Sequence, residues 1–252
     1  MKVTRKDKME KRNYNLEYQD TISRKYVYNF DFDVMHHYML RAFLPHIKSK
    51  DVLELGCFKG EFTKRIQEVF TEIVCVEASD EAIEAAKEKL RKDIRFIHST
   101  FEYVILHKKF NNIIMTHVLE HLDDPVFILS RIKNEWLSDD GYLFLVCPNA
   151  NAPSRQIAVK MGLIENNSAV TPAEHNHGHR ITYTFDTLER DVKKAGLKIE
   201  YRSGIFFKAL SNFQWDKLLQ TDIVSKEYLD GCFELGQQYP ELCSSIFLLC
   251  KK

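Results

Sequence analysis

Short apolar runs alternate along this chain with stretches in which apolar residues return every three or four positions. The runs at 51–55, 72–76, 94–98, 112–116, 142–147, 197–202 and 245–250 have the length and composition of buried strands. The periodic stretches predict helices. One covers 61–70, with Phe62, Ile66, Val69 and Phe70 on a single face. Another starts at Ser79 or Asp80, runs to about Arg91 and turns Ile83, Ala86 and Leu90 inward. A third runs from Pro125 to Trp136, and a fourth from Asp186 to Lys194, stopped by Gly196. Asp139-Asp-Gly141 reads as a turn. This alternation of strand and helix predicts an α/β fold, a parallel sheet with helices on both faces.

Four segments fall outside that rhythm. Residues 1–12 are charged and read as a solvated arm. From Tyr14 to Ile47 the chain is aromatic, and Met35, Met39, Leu40 and Phe43 recur at helical spacing. This predicts a helical cap whose aromatics mostly pack, with Arg24, Tyr26 and Tyr28 as candidates for covering a ligand. Residues 149–182 are polar, with one short helical piece near Ser154–Met161. Such a segment at the carboxyl end of the sheet belongs over a substrate. The span 206–239 reads as mostly helical, with Trp215, Leu218, Leu219, Tyr228 and Phe233 as packing groups. The division expected is an arm and cap over 1–47 and a core over 48–252, with insertions at about 149–182 and 206–242.

The 252 residues suffice for one good core. With 36 basic and 36 acidic residues the chain shows no polyanion-binding surface, so nucleic acid is not expected as a partner. No apolar run reaches the roughly 18 residues of a membrane span, and no secretory leader is visible at the start. The six cysteines form no Cys-x-x-Cys pair and read as reduced, mostly buried thiols, so a cytoplasmic setting is expected.

The chemistry begins at the first strand. It ends in Gly56, Gly60 follows, and the predicted helix starts there. A glycine turn lets a ligand approach bare backbone, and the helix start offers unpaired N–H groups. The next strand ends in Glu77, about 20 residues beyond Gly56, where an acid meets both hydroxyls of a ribose. The glycines alone would also serve an ordinary strand–helix turn. With the acid they point to a nucleoside-type ligand. Here the chain resembles class I S-adenosylmethionine-dependent methyltransferases, through Glu54-Leu-Gly-Cys-Phe-Lys-Gly60, through Glu77, and through Asn112-Ile-Ile-Met-Thr-His-Val-Leu-Glu-His-Leu122. It departs at Phe58, where the family often has glycine, and at Thr100, where it often has an acid.

The resemblance covers roughly Asp51 to Arg202. It implies a Rossmann-like, seven-stranded, mostly parallel sheet in the order 3-2-1-4-5-7-6, with the last strand antiparallel. It also implies S-adenosylmethionine as methyl donor and S-adenosylhomocysteine as product. The implied cofactor-binding residues are Arg24, Tyr26, Glu54, Gly56, Cys57, Phe58, Gly60, Glu77, Ala78, Thr100, Phe101, Thr116 and His117, with His121 structural. Phe101 is equally a core phenylalanine, and Asn149 equally an Asx turn. Asn149, Arg155, His175 and Arg180 are the candidate substrate contacts, the arginines for a phosphate or carboxylate.

His175-Asn-His177-Gly-His179 is the most unusual local feature. If extended, its three histidines would face one way. No acid or cysteine cluster accompanies them, so no metal is expected. His179 stands ahead of Thr182-Tyr-Thr, where the family often has a histidine, and His177 or His179 is the expected general base. The expected function is methyl transfer to a small-molecule hydroxyl, of a sugar or polysaccharide precursor in the family branch this pattern resembles. N-methylation of an amino sugar or other small amine, and a non-catalytic cofactor-binding subunit, are the alternatives. A nicotinamide dehydrogenase explains the glycines and the acid but not Val118-Leu-Glu-His121. A homodimer is left open.

Overall fold

The computed structural model describes residues 12–23 and 28–252. Arg24, Tyr26 and the charged arm through Lys11 lie outside the described residues. In chain order the elements are α1 (Tyr14–Ser23), α2 (His36–Phe43), β1 (Asp51–Leu55), α3 (Thr63–Ile66), β2 (Glu72–Glu77), α4 (Asp80–Lys87), β3 (Arg95–His98), β4 (Phe110–Thr116), α5 (Pro125–Arg131), β5 (Leu137–Pro148), α6 (Pro153–Lys160), α7 (Pro172–Asn176), α8 (Phe185–Lys194), β6 (Lys198–Phe207), α9 (Asn212–Leu218), α10 (Lys226–Gln238) and β7 (Cys243–Lys251).

The strands make a single sheet in the order β3-β2-β1-β4-β5-β7-β6, as the resemblance implied. β1 pairs in parallel with β2 and β4, and β7 runs antiparallel to both β5 and β6. Because successive strand residues point to opposite faces, each strand feeds two cores. Leu53, Leu143, Leu145, Ile246 and Leu248 pack on one side with α5 and α8. Val52, Phe144, Val146, Phe247 and Leu249 pack on the other with α2 and the α9–α10 region. Both faces of the central strands are covered, so β1, β4 and β7 are buried nearly throughout rather than alternating, while β3 and the first half of β6 at the sheet edges stay partly exposed.

The aromatics of the cap are mainly structural. Phe30 stacks on Trp215 at 5.2 Å, Tyr38 on Phe233 at 5.1 Å, and Phe43 meets Phe144 at 5.0 Å. Asp216 accepts from the Phe30 N–H at 2.7 Å and so caps the segment entering α2. Tyr228, expected among the packing groups, is exposed instead.

Three element boundaries differ from expectation. The helix after the glycine turn is only Thr63–Ile66, because Glu68 and Val69 bond three residues back and tighten its end. Phe62, Ile66 and Phe70 are nonetheless buried. Asp139-Asp-Gly141 lies inside β5, where the register against β4 shifts between Phe110 and Asn112. An outward bulge has the same residue preferences as a turn. β6 continues to Phe207, paired with Cys243, so Phe206 opens no helix. Its φ of 62° marks the kink where the strand ends.

Candidate functional site

The crevice lies at the carboxyl ends of β1, β2, β4 and β5, where parallel-sheet proteins bind ligands. Its volume is roughly 790 Å³, within the range of small-molecule sites. α1 covers one end, and the segment carrying α6 and α7 covers the other.

Gly56 and Gly60 both have φ near +80°. A Cβ on Gly56 would lie 2.5 Å from Val118 Cγ2, and one on Gly60 2.7 Å from Leu90 Cδ1. The first glycine therefore lets the turn nest against the end of β4, and the second lets it nest against α4. Between them Phe58 holds φ 48°, a left-handed conformation that costs a non-glycine residue about 1–2 kcal/mol. Its N–H donates to Glu77 Oε2 at 2.8 Å, which offsets part of that cost. Glu77 Oε1 accepts from the Ala78 and Ser79 N–H groups at 2.8 and 3.0 Å. Burial pushes the Glu77 carboxyl up, and these three amides pull it back. A carboxylate has about four acceptor directions, so one remains for a ligand hydroxyl.

Gly56, Cys57, Phe58, Glu77, Ala78, Thr100, Phe101, Thr116, His117, Asn149, Arg155, His177 and His179 are all brought to the crevice wall. Glu54, Gly60, His175 and Arg180 are not. Glu54 sits beneath the turn, where Thr63 Oγ1 donates to it at 2.7 Å and Cys75 Sγ lies 3.4 Å away. Burial raises its carboxyl to about 7, against the Thr63 hydrogen bond. It braces α3 rather than meeting a ligand. Arg180 points outward and pairs with Asp123 at 3.0 Å.

Asn149 and Arg155 border the crevice with their side chains already engaged. Asn149 Nδ2 donates to the carbonyls of Glu241 and Cys243, both at 2.8 Å, and its Oδ1 accepts from the Asn151 N–H at 2.9 Å. That is the Asx-turn arrangement, and it ties β5 to β7. Arg155 forms an ion pair with Glu174 and donates to the carbonyls of Asn167 and Ala169, which closes the loop between α6 and α7. The Arg155 guanidinium is thus engaged within the loop, as that of Arg180 is with Asp123.

On the crevice wall, Thr100 Oγ1 is buried and has no hydrogen-bond partner among the described residues. An orphaned hydroxyl beside a glycine turn and an acid fits an adenosine with an unsatisfied amine or ring nitrogen. Phe101 belongs to the core and shows the crevice little more than an edge. At the far wall His117 has φ 53°, and its Nε2 lies 2.9 Å from Ser245 Oγ on β7. Burial lowers its pKa to about 4.

The histidine trio is not extended. α7 contains His175, and His177 follows at its carboxyl end, so the alternation does not align the rings. His175 faces away while His177 and His179 turn inward. His179 meets His121 edge-to-face at 4.5 Å, and burial lowers its pKa to about 4. Glu120 completes this corner, its carboxyl raised to about 8 by burial. Glu120 lay within the segment quoted for the family resemblance, yet spacing alone gave it no role. Also unread were Asp31 and Lys208, two charged groups lining the crevice, the first half-buried and the second buried. Burial raises Asp31 to about 6 against the pull of Lys208, and lowers Lys208 to about 8 against the pull of Asp31. Their partnership joins residues far apart in sequence and has no local signature.

Comparison with known proteins agrees with this geometry. A family model described as a methyltransferase domain matches residues 28–202. A ubiquinone biosynthesis O-methyltransferase from Rhizobium etli (strain CIAT 652) is 24% identical over 177 residues, covering 68% of this chain and 69% of that protein. Among solved structures, a possible histamine N-methyltransferase from Thermotoga maritima superposes with a TM-score of 0.65 at 14% identity, covering 95% of this chain and all of that one. A plantazolicin methyltransferase, solved with a triazolic desmethylPZN analog and S-adenosylhomocysteine, gives 0.56 at 16% identity, covering 95% and 90%. The chain belongs to the methyltransferase-domain family and is a class I S-adenosylmethionine-dependent methyltransferase.

Proposed function

We propose that the protein methylates a hydroxyl of a small polyhydroxylated molecule, such as a sugar or polysaccharide precursor. The observation that carries the reading is the continuity of one crevice. It runs from the Gly56–Gly60 turn and Glu77 to a wall of neutral imidazoles, so donor and acceptor sites share one space. The O-methyltransferase named among the curated relatives supports oxygen as the acceptor atom.

S-adenosylmethionine supplies a methyl group on a positive sulfur, a carbon that needs no further activation. What remains for the chain is positioning and a proton. The turn amides and Glu77 would hold the adenosine, with Thr100 and Phe101 at the base. Thr116 and His117 would border the sulfonium. His177 or His179 would take the acceptor's proton, since burial keeps the His179 ring neutral. The 48–252 core carries these parts, and the 1–47 segment is read as its cap.

The test is formation of S-adenosylhomocysteine with pools of sugars, sugar nucleotides and amines as acceptors. Incorporation of labelled methyl into a hydroxyl compound is expected. Turnover confined to amines would replace oxygen by nitrogen. No turnover with any pool, in a protein that binds S-adenosylhomocysteine, would favour a binding subunit.

A further inference from the structure

Glu120, His121 and His179 come together on the wall of the crevice. One candidate ligand atom from each lies within 4.8 Å of the other two. Both carboxylate oxygens of Glu120 are buried, and neither has a hydrogen-bond partner among the described residues. A buried carboxylate with no donor is costly, and a cation is the partner that compensates two open oxygens at once. The backbone around the trio is fixed independently. The Arg180 N–H donates to the Glu120 carbonyl at 2.7 Å, the His179 N–H to the Glu174 carbonyl at 3.0 Å, and Arg12 Nη1 to the His121 carbonyl at 2.8 Å. Two segments about 60 residues apart are thus clamped together with their side chains converging.

We propose that Glu120, His121 and His179 bind a divalent first-row transition-metal ion at the acceptor end of the crevice. Two imidazoles, borderline donors, beside one hard carboxylate favour zinc, iron or manganese over calcium, which takes oxygen ligands. Ligand atoms around such an ion stand about 3.4 Å apart when each is about 2.1 Å from the metal. Small side-chain rotations close the present spacing to that value. Three protein ligands leave a position open toward the crevice, and an acceptor oxygen fills it. This last step rests on the methyl-transfer reading above. There, the hydroxyl proton passes to His177, the oxygen bonds to the methyl carbon, and the C–S bonding pair returns to sulfur. His179 then serves as a ligand rather than as the base.

Chelator-treated protein titrated calorimetrically with zinc chloride or manganese chloride tests the site, alongside titration with S-adenosylhomocysteine. One saturable site per chain of micromolar affinity or tighter is expected. Glu120→Gln and His179→Gln should each weaken it by at least about tenfold while S-adenosylhomocysteine affinity is kept. Glu120→Gln is isosteric and breaks no hydrogen bond of the carboxylate, so it preserves the fold. Absence of a saturable metal site in the unmutated protein overturns the proposal. Undiminished metal affinity in both variants does the same. Metal binding without S-adenosylhomocysteine binding would leave the site standing and remove the methyl-transfer reading, so the two failures are told apart.

Discussion

Two glutamates on one face of adjacent strands do different work because they sit at different depths: Glu54 is level with Cys75, two residues short of Glu77. Glu77 ends β2 and reaches the turn amides from the crevice side, whereas Glu54 on β1 points under the turn. Glu77→Ala should weaken S-adenosylhomocysteine binding at least about tenfold by calorimetry, since it removes both the ribose acceptor and the tie that holds Phe58 left-handed. Unchanged affinity would take the ribose away from this residue. Glu54 makes a pH prediction. Its folded pKa of about 7 exceeds the unfolded value near 4.5, so the folded state holds the proton more tightly. Stability is therefore highest below pH 4.5 for this group and falls as pH rises toward 7, by roughly 3 kcal/mol in all. Glu54→Gln keeps an acceptor for Thr63 and should flatten that slope in denaturant titrations between pH 5 and 8. An equal slope in the variant would place the titration elsewhere. Glu77 was legible in the sequence because an acid at a fixed distance from a glycine turn has one geometric meaning. The Asx turn at Asn149 was one of two readings the sequence left open, whereas Arg155 was not legible, because nothing local reveals that its hydrogen bonds are spent on Glu174 and the loop carbonyls.

Among elements, α1 is attached differently from the rest. It meets the core through polar contacts, Asn15 with Asp80 and Ser79, and Gln19 with Glu81. Its aromatic contact is Tyr18 against the Phe58 ring at 5.3 Å, on the turn itself. Helices held this way open locally at little cost. Hydrogen exchange over 14–23 should be fast in the free protein and slow markedly with S-adenosylhomocysteine bound. Equal exchange in both states would show that α1 is not a cover. The strands were readable because double-sided burial leaves uninterrupted apolar runs. The helix α7 was not read from the sequence, because its start depends on a capping box between Thr171 and Glu174, and Glu174 also engages Arg155. The bulge in β5 was misread because aspartates and glycine serve bulges and turns alike.

For the whole molecule, the thiols report how completely the two cores exclude solvent. Cys57, Cys75, Cys147, Cys243 and Cys250 are buried, and Cys232 on α10 is half-buried. Burial raises the pKa of every one of them, which leaves little thiolate at neutral pH. A thiol reagent should titrate at most one group per chain in the native protein and six after denaturation. Rapid reaction of several would mean that a layer opens readily. The sheet order was legible only through resemblance, since no run of residues announces which strands are neighbours. That order has a consequence for synthesis. β7 lies between β5 and β6 and gives Ser245 to His117, so β6 has no seat in the sheet until residues 243–251 exist. While a ribosome is still making the chain, β1 to β5 can assemble, but β6 waits with one edge bare. Until those nine residues arrive, the emerging polypeptide carries an unpaired strand edge, the kind of surface on which partly made chains stick to one another.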